Sequence, residues 1–144
     1  MSLRSLSNQS NGIFVGQVSG VQTIVDRGEI WTLVTIAVEK HLKGTHASTV
    51  HFKMPGGVQI VEGRTVVTEY EGMPRLEILQ RCVFFLEGSA PQYFRLTGLH
   101  QGLWRISMHD GAEVVAPSEE TEHETIRLDQ FLEGIDQALK EERR

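Results

Sequence analysis

The chain carries six histidines in 144 residues, and three of them, His41, His46 and His51, are evenly spaced across one predicted turn. Imidazole is a common zinc ligand, and a site needs three or four donors converging at about 2.0–2.1 Å from the ion. If the flanking segments are adjacent strands, His41 and His51 both point outward and His46 sits in the loop between them. That spacing matches no established ligand signature, and a metal site would also be expected to have a supporting carboxylate behind its ligands. The alternative is three solvated side chains on an exposed face, so no metal and no cofactor is expected. The stretch His109-Asp110-Gly111-Ala112-Glu113 also mixes acid and base types, but Asp-Gly is explained by the turn it makes. Glu119, Glu120, Glu122 and Glu124 lack the spacing of a calcium loop. The single cysteine, Cys82, lies inside an apolar run, where a thiol acts as a small buried hydrophobe. No nucleophile elbow, zinc-protease helix, phosphate loop or dinucleotide fingerprint occurs. No catalytic residue is therefore assigned.

Binding candidates lie where polarity has no structural duty. Residues 71–75 and 100–102 are such loops. Arg75 is the first choice, because its planar fork suits bidentate contact with a carboxylate or another anion; the competing reading is a salt bridge to Glu71 or Glu77. His100 and Gln101 follow in the second loop. Trp31 is the one aromatic whose face continues into polar Thr35, Glu39 and His41, which makes it a candidate stacking residue.

The elements that must hold these residues are mostly strands. The run from Ile13 to Val25 mixes β-branched residues with Gly16 and Gly20, which mark bulges or bends that curve a long strand. A turn at 26–29 leads to a second strand over 30–42, with Val34, Ile36, Val38 and Leu42 on one face and Thr35, Ala37, Glu39 and His41 on the other. Val50, Phe52 and Met54 form the inward set of a third strand, ended by Pro55-Gly56-Gly57. A weaker strand covers about 65–70. Residues 81–87 are almost continuously apolar, as in a central strand buried on both faces. Strands follow over 93–99 and 103–109. Asp110-Gly111 is a two-residue hairpin turn that sets Ile106 opposite Val115 and Met108 opposite Glu113. Beyond an acidic linker at 117–124 the period changes: Leu128, Phe131, Leu132, Ile135 and Leu139 form one stripe of a helix over 125–142.

Composition narrows the function. A length of 144 residues fits one domain. The formal net charge is −5 and no basic run appears, so general nucleic-acid binding is not expected. No apolar stretch is long enough for a membrane-spanning helix. No signal peptide is read in the sequence as it stands; residues 1–11, rich in Ser and Asn, read as a frayed end or a cloning boundary, which removal of a leader would also leave.

The order of motifs resembles a known layout. Ile13-Phe14-Val15-Gly16-Gln17-Val18, then the run from Trp31 to Leu42-Lys43-Gly44, then Val50-His51-Phe52, then Arg81-Cys82-Val83-Phe84-Phe85-Leu86 are similar to netrin-type and tissue-inhibitor-of-metalloproteinase-like OB domains. They also resemble small exported bacterial proteins of unassigned function, in which Pro55-Gly56-Gly57, Gly72-Met73-Pro74-Arg75 and Gln101-Gly102 look like recurring turns. The resemblance covers about residues 12–109. It implies a five- or six-stranded OB-like barrel and an extracytoplasmic home. The family's N-terminal zinc-ligating cysteine and its disulfides are missing here, so no functional residue carries over.

The sequence thus leads to a mainly β protein: an OB-like antiparallel barrel or strongly curved sheet over 12–116 with one C-terminal α-helix. The function expected is a non-enzymatic binding or interaction module for a protein or small-molecule ligand. The alternatives are a metal-dependent hydrolase and a structural or assembly subunit.

Overall fold

A computed structural model of the chain describes residues 1–71, 73–88, 94–118 and 125–142. The fold is mainly β: a large, strongly curved antiparallel sheet with a helix at each end of the chain. Its strands in spatial order are β10 (Ile126–Arg127), β9 (Ala112–Pro117), β8 (Leu103–His109), β6 (Arg81–Glu87), β1 (Gly12–Asp26), β2 (Glu29–Lys43) and β3 (Thr49–Pro55), with β7 (Arg95–Leu96) added beside β6. A separate two-stranded sheet pairs β4 (Gly57–Val61) with β5 (Arg64–Thr68).

Curvature arises where the pairing of β1 with β2 slips. Register shifts fall beside Gly16 and before Gly20, the two glycines that interrupt the first strand. Each slip adds a residue to one strand and bends it. The sheet does not close by a continuous ladder. Among the described residues, its terminal strand β3 meets the segment leading into β7 at a parallel bridge between Phe52 and Phe94, where Lys53 N donates to Phe94 O at 2.9 Å.

Two cores lie on opposite sides of β6, as the period-2 geometry of a strand requires. Cys82, Phe84 and Leu86 point inward to join Phe14, Val18, Val34, Ile36, Phe52 and Leu103 inside the curve. Val83 and Phe85 point outward and pack with Ile13, Val15, Val115 and helix α2 (Leu128–Glu142). The helix delivers Leu128, Phe131, Ile135 and Leu139 to that outer core, the stripe its periodicity announces. Trp104 and Phe131 stack with ring centroids 4.7 Å apart.

The first residues differ from the frayed end expected. Leu3–Gln9 forms helix α1, opened by Ser2, whose side chain accepts from Ser5 N at 3.1 Å. Leu6 is only 2% exposed and belongs to the outer core. Leu3 rests on α2 at Gly134, where an added Cβ would stand 3.1 Å from Leu3 Cδ2.

Other segments also depart from expectation. Gly57–Val61, where the sequence reading gives no element beyond the Pro55-Gly56-Gly57 stop, forms β4. The strand expected over 93–99 is reduced to Arg95–Leu96, because Gly98 takes positive φ and starts a 3₁₀ turn at Leu99–Gly102. Residue 93 and linker residues 119–124, with the four glutamates considered for calcium, lie outside the described residues.

Candidate functional site

The β4–β5 hairpin stands at one end of the curved sheet. Pro55 ends β3, and Gly56, at φ +94°, turns the chain into β4. That turn is fixed on both sides: Gly56 N donates to Ile30 O at 2.9 Å, and Thr32 Oγ1 donates to Gly56 O at 2.8 Å. Val58 N donates to Thr23 Oγ1 at 3.3 Å, which ties β4 to the far end of β1.

Between the hairpin and the loop that follows it lies a cleft of about 550 Å³. Val58 and Val67 form the hairpin wall, Tyr70, Met73 and Pro74 face them, and Met54 connects the cleft to the inner core. This size falls within the roughly 300–1,000 Å³ usual for small-molecule pockets. The surrounding surface is unusually apolar: Val58, Ile60 and Val67 are 52%, 75% and 55% exposed, and Tyr70 is 51% exposed. Exposed apolar side chains clustered in this way mark interaction surfaces.

Arg75 lies on the rim of this cleft. Its guanidinium pairs with Glu69, Nη2 to Oε1 at 2.9 Å, rather than with Glu71 or Glu77. Arg105 Nη2 donates to Arg75 O at 2.8 Å and holds the loop backbone against β8.

The other sequence candidates do not gather here. Trp31 stands opposite Pro55 in the β2–β3 ladder, and Lys53 Nζ lies 4.5 Å above its ring, itself 3.3 Å from Asp26. That cation–π stack occupies the ring face expected to be open to a ligand. Gln101 Oε1 accepts from the Met1 amine at 2.8 Å, and its carbonyl accepts from Trp104 Nε1 at 3.2 Å. His100 O accepts from Ser118 Oγ at 3.0 Å. Both residues hold the 3₁₀ turn to neighbouring segments.

His41, His46 and His51 are not brought to one point. Opposite β1, the pairing passes from Val38 directly to Lys40, so Glu39 is an extra residue and the alternation of β2 reverses. His41 therefore turns toward the inner core, edge-on to Phe14 at 6.0 Å, while Leu42 packs in the outer one. This is the reverse of the faces read from strict alternation. His46 lies near His41, with ring centroids 5.5 Å apart, and His41 Nε2 contacts Ala47 O at 2.7 Å. His51 contacts Thr35 Oγ1 through Nδ1 at 3.0 Å. Among the described residues no group of three or more His, Cys, Asp or Glu side chains is placed to hold a metal ion.

Two charged or reactive groups have structural environments. Arg81 Nε and Nη2 donate to Glu39 and Nη1 donates to Glu113, at 2.9–3.2 Å, clamping β2, β6 and β9 together. Its pKa is raised, chiefly by the hydrogen bonds with Glu39 and against the opposing effect of burial. The Cys82 thiol is pushed up to about 12 by burial, with Arg105 acting weakly the other way.

Arg75 is legible in the sequence as a candidate, but the cleft is not, because its wall is β4. The available signal was Val61-Glu62-Gly63-Arg64, a two-residue turn between valine-bearing runs. No helix among the described residues is long and apolar enough to cross a membrane. No protein-family model and no curated protein matches the chain.

Proposed function

We propose that the chain is a non-enzymatic interaction module that takes an apolar segment of a partner protein into the cleft beneath the β4–β5 hairpin. The observation that carries this reading is the coincidence of the cleft with the exposed Val58, Val67 and Tyr70, beside which Ile60 extends the apolar surface of the hairpin. An apolar wall with the Arg75–Glu69 pair at its rim suits a partner side chain that buries carbon and presents a polar end.

An OB-like reading of the sheet is supported by the parallel bridge between β3 and the segment leading into β7, and by the pairing of β7 and β1 with β6. These contacts trace most of a small closed circuit. An extracytoplasmic location rests on the resemblance to netrin-type domains and small exported proteins.

The test uses anilinonaphthalene sulfonate, an apolar dye with an anionic end. The native chain is expected to enhance its fluorescence. Val67→Asp should abolish the enhancement, and Arg75→Ala should weaken it. No enhancement by the folded chain, or the same enhancement in Val67→Asp, overturns the reading. The alternative of an assembly subunit is favoured by one observation, the open edge of β5.

A further inference from the structure

We propose that β5 is a self-association edge, pairing antiparallel with β5 of a second copy of this chain about Val66. The proposal does not depend on what occupies the cleft.

Among the described residues β5 pairs only with β4. All of Arg64, Thr65, Val66 and Val67 are exposed, and the strand Arg64–Thr68 contains neither proline nor glycine. Long-known devices that blunt an edge, such as proline, a bulge or an inward charge, are missing from its centre.

The direction of the open backbone groups follows from the turn. Glu62 and Gly63 both have positive φ, at 50° and 76°, and close a two-residue hairpin in which Val61 faces Arg64. The closing pair of such a hairpin is hydrogen-bonded, and bonded and non-bonded pairs then alternate. Gln59–Val66 is accordingly bonded inward, while Thr65 and Val67 aim N–H and C=O at the free edge. Val58 obeys the same rule on the other strand: it faces Val67, and its N–H points away to Thr23.

A two-fold axis at Val66 lets Thr65 of each copy exchange main-chain hydrogen bonds with Val67 of the other. It sets Val66 opposite its own copy and Arg64 opposite Thr68, so no like charges face each other. Arg64 at the start of the edge and Glu69 just past its end bring opposite charges toward each other across the antiparallel pair. The edge itself is apolar at its centre: Val66 and Val67, on the pairing strand, are 41% and 55% exposed, and side chains facing each other across such a pair add to the main-chain bonds. The product is a four-stranded sheet, β4–β5 of one copy continued by β5–β4 of the other, with Val58, Ile60 and Val67 of both copies on one face.

Light scattering on the chromatographed chain is expected to give twice its mass of 16.2 kDa. Val66→Lys and Val66→Glu should each run at the single-chain mass with an unchanged circular dichroism spectrum, and an equal mixture of the two should return to twice that mass. Val66→Cys with copper–phenanthroline as oxidant should cross-link through residue 66, since Cys82 is buried. A single-chain mass for the unmodified protein at its highest soluble concentration overturns the proposal. So does a Val66→Lys variant that keeps the doubled mass, or a charge-swapped mixture that stays at the single-chain mass.

Discussion

Arg75 reaches across the rim of the cleft to Glu69, Nη2 to Oε1 at 2.9 Å, with side chains 88% and 64% exposed. A pair so open to water is worth about 0–1 kcal/mol. Arg75→Ala should therefore lower the unfolding free energy by less than about 1 kcal/mol in urea titration, while weakening the anionic dye. A large loss of stability with unchanged dye binding would assign Arg75 to the fold instead.

Phe84 and Phe131 test the two cores separately. Phe84 is fully buried inside the curved sheet, and Phe131 packs between Phe85 and Trp104 beneath α2. Truncating either to alanine should cost about 3–5 kcal/mol. The two side chains belong to different clusters, so their costs should be nearly additive. Denaturant midpoints of the single and double variants check this; strong coupling would mean that the cores act as one.

Gly134 has a helix-propensity cost of about 1 kcal/mol relative to alanine. The nearest obstacle to a Cβ is the end of the half-buried Leu3 side chain, 3.1 Å away. A terminal methyl can shift by a few tenths of an ångström, so Gly134→Ala should raise stability by up to about 1 kcal/mol. Gly134→Phe should displace α1 and lower it. Thermal melts of both variants give the signs.

Cys82 should resist alkylation by iodoacetamide in the native state and react once urea unfolds the chain, because its thiol is held up at about 12 against an ordinary 9.0. The folded pKa is the higher one, so the unfolded chain releases this proton first as pH rises. The stabilisation is complete below about pH 9 and is lost between pH 9 and 12. Denaturant titrations across that window should show the decline, and Cys82→Ala should flatten the part due to the thiol while lowering stability throughout through the cavity it leaves.

The sequence made much of the sheet legible. Asp110-Gly111 placed Ile106 against Val115 and Met108 against Glu113, the register observed, because a two-residue turn fixes pairing directly. The doubly buried β6 was visible as an unbroken apolar run. Strict alternation puts His41 and Leu42 on the wrong faces, since the extra residue at Glu39 reverses the side chains that follow until the register shifts again at Leu42, and neither shift leaves a compositional mark. The helix at Leu3–Gln9 was hidden because its stability comes from resting on α2 and the outer core, a tertiary effect that polar local sequence conceals. Arg81 between Glu39 and Glu113 was equally illegible, being a meeting of three strands far apart in the chain. The chemistry of Arg75 is visible in the sequence, but only the fold places the apolar cleft beside it.

The most direct measurement is a nitrogen–proton correlation spectrum of the labelled chain titrated with anilinonaphthalene sulfonate. The amides expected to shift are those of Val58, Val67, Tyr70, Met73 and Arg75, with those around Trp31, His100 and Gln101 unmoved. Shifts centred on those latter residues, or none in the hairpin and its facing loop, would contradict the cleft as the interaction site.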